Sequence, residues 1–177
     1  MPPALARHRF LKEIRKTFDG KAEPFRTVRR QSRKSLMLHL DSKHLDEIAE
    51  HGERDYPYEC CGLLLGRFDE NGTKLVSETY PISNAREETA KRNRFLIKPE
   101  ELMRGEKYAV EKGIDLVGFY HSHPDHPAVP SQYDLEHAWP VYSYVIVAVH
   151  SGKTKDLKSW EMEEDRSRFN AEEIISS

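Results

Sequence analysis

The chain has 177 residues, 37% hydrophobic and 33% charged, which suits one compact core with a well-solvated surface. No apolar run approaches the roughly 20 residues a membrane span needs, and the basic start lacks the apolar stretch of a secretory signal. The net charge of -2 conceals a split: residues 1–36 carry 11 Lys and Arg against 3 Asp and Glu, leaving 17 against 27 in the remainder.

Residues 1–36 read as a basic, disordered N-terminal extension. An arm for nucleic acid or an anionic surface is the other reading of its Arg and Lys content. Met37 stands where the ordered pattern begins, which leaves a natural start at that position open. The folded domain is expected at residues 37–177. Leu36 to Leu40 reads as a short strand. Asp41 or Ser42 can cap a helix whose apolar positions Leu45, Ile48 and Ala49 have helical spacing, with a break between Gly52 and Pro57. Cys60 to Phe68 is a short, nearly continuous apolar run, as in a buried central strand. Asn71-Gly72 signals a hairpin turn, and Leu75 to Ile82 the returning strand.

Residues 83–94 are polar and without period, a surface loop. Phe95 to Ile97 is a brief extended piece. Pro99 opens a helix with Glu100 and Glu101 in its first turn, and Gly113 stops it. Asp115 to His123 is the next strand. A loop with Pro124, Pro127 and Pro130 leads into a helix from Ser131 to about Trp139. Tyr144 to His150 is a β-branched strand, and Ser151-Gly152 turns the chain into a strand at Leu157 to Met162. The tail from Glu163 is acidic and polar, with Phe169, Ile174 and Ile175 as late contacts. The order of strands and helices gives an α/β or α+β three-layer domain. Adjacent Cys60 and Cys61 make a poor disulfide pair and read as core thiols. A reduced, cytoplasmic setting is the economical reading.

The chemistry concentrates in Phe119 to Asp134. His121 and His123 are two apart on a strand, so both imidazoles leave the same face and can share a metal ion. Asp134 lies one turn into the next helix, from where a carboxylate could return to that face. Two imidazoles, a carboxylate and an open position form a catalytic zinc pattern. Ser131-x-x-Asp134 also reads as a capping box that only starts a helix, and both roles can coexist. His126 stands in the loop beside these residues, as an exposed side chain or a substrate contact. Trp139 and Tyr142 read as packing residues.

His121-Ser122-His123-Pro124 followed by Ser131-Gln132-Tyr133-Asp134 resembles the JAMM (MPN+) metalloprotease signature. Glu59, just ahead of Cys60-Cys61-Gly62-Leu63-Leu64-Leu65-Gly66, matches the glutamate that this family places before such a strand. The likeness covers roughly residues 37–162 and is greatest to the short stand-alone bacterial members. It implies an MPN (JAB) domain of α/β class, a cytidine-deaminase-like curved β-sheet flanked by helices. It further implies one Zn2+ held by His121, His123 and Asp134, with Glu59 as general base and Ser131 as oxyanion donor. The implied activity is hydrolysis of a peptide or isopeptide bond. Its substrate would be the Gly-Gly tail of a ubiquitin-like or sulfur-carrier protein, including release of a carrier-bound amino acid such as cysteine. Residues 83–94 would then wall the substrate groove. With little inserted after the motif helix, the site should suit an extended C-terminal tail. A non-catalytic scaffold of the same fold and a nucleic-acid-associated RadC-like protein are the alternatives. Scaffold members typically lose signature residues that this chain retains. The RadC group tends to carry His-Asn-His-Pro-Ser-Gly, where this chain has His-Ser-His-Pro-Asp-His.

Overall fold

The structure, a computed structural model, describes residues 37–176. The basic extension expected at residues 1–36 lies outside the described residues. The strands are β1 (Met37–His39), β2 (Cys61–Phe68), β3 (Lys74–Ile82), β4 (Asp115–Pro124), β5 (Ser143–His150), β6 (Lys153–Met162) and β7 (Phe169–Ile175). The helices are α1 (Ser42–Asp55), α2 (Pro99–Lys112) and α3 (Gln132–His137). No described helix is long and apolar enough to cross a membrane.

One curved sheet runs in the order β1-β3-β2-β4-β5-β6-β7 and closes on itself through a parallel β1–β7 pair. The mixed α/β architecture is the class expected. The curved sheet expected is closed, and the closure rests on β7, which the polar tail did not suggest. Phe169 packs edge-on against Tyr144, with ring centroids 5.4 Å apart, and Ile174 reaches the inner core. The inward position between them is Glu172, which breaks the apolar alternation that marks a strand. Lys74 satisfies it, donating to Glu172 Oε1 at 3.0 Å, while Ser159 donates to Oε2 at 2.6 Å.

Helices α1 and α2 each cover one side of the curve. Leu45 and Ile48 of α1 join Leu64, Val117, Val145 and Val147 on the inner face. Gly52 lets this helix approach closely: a Cβ there would stand 3.0 Å from Val149 Cγ2. His51 Nδ1 meets Tyr120 Oη at 2.9 Å and ties α1 to β4. On the outer face α2 packs through Ala109 and Leu102 against Cys61, Leu63 and Leu65. Gly113 ends α2 with φ of 69°, the left-handed stop its sequence position predicts.

Smaller expectations shift. Strand β6 begins at Lys153 rather than Leu157, because its polar first residues are held by the β5 ladder rather than by burial. Phe95 to Ile97 takes no place in the sheet. Its polar groups go to the preceding loop, with Leu96 N donating to Asn84 Oδ1 at 3.2 Å and Leu96 O accepting from Ala85 N at 3.0 Å. Trp139 is 44% exposed, not a packing residue, whereas Tyr142 is buried. The Trp139 indole instead lies under the Arg166 guanidinium, 4.8 Å from ring centre to Cζ.

Candidate metal centre

Strand β4 sets the geometry. A register shift against β2 at Leu64–Leu65 brings Leu116 and Phe119 to the outer face. From Phe119 onward the two-residue period carries His121 and His123 on that face, beside Ile146 and Ala148 of parallel β5. Both imidazoles are buried, and the Phe95 ring lies 4.7 Å from that of His121.

The His121 and His123 Nε2 atoms are 3.0 Å apart. Asp134 Oδ1 stands 3.4 Å from His121 Nε2, and Oδ2 3.7 Å from His123 Nε2. A tetrahedral ion with bonds of 2.0–2.1 Å spaces its ligand atoms by about 3.3 Å. The triangle of His121, His123 and Asp134 fits such an ion. The donor chemistry fits as well. His123 Nδ1 lies 2.9 Å from Pro127 O, a pure acceptor, so Nδ1 holds the proton and the Nε2 lone pair faces the cluster. The His123 lone pair and the Asp134 carboxylate therefore face one point beside His121 Nε2, an arrangement that a cation stabilises. The buried His121 Nδ1 has no hydrogen-bond partner.

Asp134 reaches this point because α3 begins with a complete capping box. Ser131 Oγ accepts from Asp134 N at 3.2 Å, and Asp134 Oδ2 accepts from Ser131 N at 2.6 Å. The Ser131 hydroxyl also donates to Oδ2, at 2.6 Å. Oδ2 is thereby occupied by the cap while Oδ1 faces His121. The capping box and the approach of Asp134 Oδ1 to His121 coexist in one arrangement. Its consequence is that the Ser131 proton is committed to Asp134 and must rotate away to serve another acceptor.

Glu59 sits just before β2, with 6% of its surface exposed. Its main chain lies beyond the sheet ladders and is held by the polar loop: Glu59 N donates to Lys91 O at 2.7 Å, and Asn84 Nδ2 donates to Glu59 O at 2.9 Å. Burial raises its carboxyl to about 8, against the lowering influence of His123, Arg94 and Arg86. Burial likewise lowers His121 to about 4 despite the Asp134 charge. His123 is raised, the nearby Asp134 carboxylate, the Pro127 hydrogen bond and the Glu59 carboxylate together outweighing burial. Asp134 is held well below the carboxylate range by the neighbouring His123 and His121 imidazoles and by the Ser131 bonds, which outweigh its burial.

His126 is exposed, and its carbonyl accepts from His150 Nε2 at 3.3 Å. It does not belong to the cluster. Cys60 and Cys61 are free and buried among apolar neighbours. Burial pushes the Cys60 thiol up to about 12 and raises Cys61 further, so neither is a ready nucleophile. Two groups escape a reading of the sequence. Asn84 binds the loop to Glu59. Arg86 donates to Tyr133 Oη while Arg94 lies over the Tyr133 ring at 4.6 Å, which joins that loop to α3. A loop without periodicity carries no signal for either.

Residues 41–163 match the family described as prokaryotic homologs of the JAB domain. A desampylase of Haloferax volcanii is 38% identical over 116 residues, 65% of this chain and 80% of that one. A probable TtuB-protein conjugate cleaving protease of Thermus thermophilus is 33% identical over 112 residues, 63% of this chain and 70% of that one. A solution structure of a protein from Desulfitobacterium hafniense superposes with a TM-score of 0.70 at 32% identity, covering 80% of this chain and 93% of its own. One from Salinibacter ruber gives 0.63 at 38% identity, covering 80% and 92%. With the family match spanning more than half its length, the chain belongs to the prokaryotic homologs of the JAB domain.

Proposed function

We propose that this protein is a JAMM-type zinc metallopeptidase that cleaves a peptide or isopeptide bond at the C-terminus of a ubiquitin-like or sulfur-carrier protein. The observation that carries this reading is the convergence of His121, His123 and Asp134 on one point, with the buried Glu59 carboxyl within electrostatic reach. Zinc suits two neutral imidazoles and a carboxylate better than calcium or magnesium, which take oxygen ligands. The relatives named desampylase and conjugate cleaving protease favour conjugates as the substrate class.

The chemistry supplied at His121, His123 and Asp134 is Lewis acidity toward water and the scissile carbonyl. Glu59 takes the proton of the attacking water and passes it to the leaving amine. Its buried position keeps bulk water from competing for that proton. Ser131 turns its hydroxyl from Asp134 Oδ2 toward the developing oxyanion, exchanging one charge-assisted hydrogen bond for another. Asp134 keeps the Ser131 N–H bond during this exchange and so holds its orientation. Reduced Cys60 and Cys61 suit a cytoplasmic setting.

The test pairs metal analysis with cleavage of small carrier proteins fused through Gly-Gly tails. The wild type should bind one zinc per chain and cut at the tail, while Glu59→Gln keeps the metal and loses turnover by at least about 100-fold. A fully active Glu59→Gln protein removes Glu59 as the base. A wild type that binds no zinc removes the metallopeptidase reading altogether.

A further inference from the structure

Glu59 has to be aimed, yet the sheet does not aim it. The β2 ladders with β3 and β4 both begin at Cys61. Cys60 is still tied to β4, its N–H donating to Ser122 Oγ at 2.8 Å and its carbonyl accepting from Ser122 N at 3.2 Å. One residue earlier that support stops.

The Asn84 carboxamide takes over. Its Nδ2 donates to Glu59 O at 2.9 Å and to Arg94 O at 3.0 Å. Its Oδ1 accepts from Arg86 N at 3.0 Å and from Leu96 N at 3.2 Å. Two N–H donors and two lone pairs are the whole capacity of an asparagine side chain, and all four are used. The orientation is unambiguous, since exchanging O and N would set oxygen against two carbonyls and NH2 against two N–H groups. One side chain thus joins the two ends of the 83–96 segment and fastens both to the Glu59 backbone. The same segment supplies Lys91 O to the Glu59 N–H. No aspartate could replace it, because the two carbonyls need donors.

We propose that Asn84 is the positioning residue for Glu59: it holds the backbone of the base in catalytic register without touching substrate or metal. The inference rests on the reading of Glu59 as general base. The loop is then more than a wall beside the substrate, since its closure determines where the base stands.

The isosteric Asn84→Asp keeps the shape and both acceptor contacts but loses both donors, and Asn84→Ala is a second variant. The full-length, zinc-loaded protein is assayed on a small carrier protein whose Gly-Gly tail is fused to a fluorescent peptide. Zinc content should stay at wild-type stoichiometry. KM should stay within about 2-fold while kcat falls by about 10- to 100-fold, the scale of a small misplacement of a reacting group. The double variant Asn84→Asp/Glu59→Gln should be no slower than Glu59→Gln alone, because Asn84 acts through Glu59. Hydrogen exchange at the Glu59 amide should quicken by at least about 10-fold in Asn84→Asp, with the β4 and β5 amides unchanged.

A wild-type kcat in Asn84→Asp overturns the inference, as does a double variant whose losses multiply. A rise in KM alone assigns the loop to substrate contact and overturns it too. An unchanged Glu59 amide overturns it whatever the activity. A fully active Glu59→Gln protein beside a quickened Glu59 amide would instead sink the base assignment, with the structural link from Asn84 intact.

Discussion

Replacing Glu59 by glutamine should change the number of protons released when the protein takes up zinc. Burial raises the Glu59 carboxyl to about 8 in the metal-free protein. At pH 7 a group with that value is about 0.9 protonated. A divalent cation at His121, His123 and Asp134 favours the charged carboxylate, so loading expels that proton. Wild type should therefore release about 0.9 proton more per chain at pH 7 than Glu59→Gln, whose amide cannot titrate. The sign follows the raised pKa: the difference is large between the ordinary carboxylate range and about pH 7 and shrinks to about 0.1 at pH 9, where Glu59 is already ionised. Titration calorimetry at each pH, in two buffers of different ionisation enthalpy, yields the proton count directly. His123 is raised partly by the Glu59 charge, so the difference counts Glu59 together with that linked change, while groups remote from Glu59 cancel. Equal counts at pH 7, or a difference that does not fade by pH 9, would refute the placement of a buried, protonated carboxyl beside the cluster.

Three further outcomes concern the ionic cluster that closes the sheet. Lys74→Met leaves the Glu172 and Glu161 carboxylates without the cation that stands 3.0 and 3.6 Å away, and with the Lys74 and Glu172 side chains nearly fully buried it should cost about 3–5 kcal/mol in urea unfolding. Replacing Lys74 and Glu172 together by apolar residues should recover much of that loss. Glu161 is raised to about 7, mainly by burial and also by Glu172, against the pull of Lys74. The folded state therefore holds this proton more tightly than the unfolded chain. Its contribution is full below about pH 4.5 and fades as pH rises to about 7, and Glu161→Gln should flatten that slope in urea unfolding followed across pH 4–8.

Period and polarity carried most of the elements. The β-branched run at Tyr144 to His150, the Pro99 start and the Gly113 stop need no tertiary partner to be read, because each depends on neighbours within a few residues. The pairing of His121 with His123 is of the same kind, since a two-residue period on any strand puts them on one face. Glu59 entered through its resemblance to a family pattern and not through local physics. A solitary glutamate before an apolar strand has no distinguishing feature of its own.

What the sequence determined by itself was thus the class of fold, the strand that bears the histidines and the types of side chain available for the chemistry. Only the tertiary structure decided that Asp134 both caps α3 and faces His121, since the cap alone would satisfy its carboxylate. Only the tertiary structure made a strand of the acidic tail, by bringing Lys74 to Glu172 across 98 residues. The same holds for Asn84, whose four partners come from Glu59, Arg86, Arg94 and Leu96. In each case the deciding contact is polar, and hydrophobic periodicity registers only apolar neighbours on a shared face.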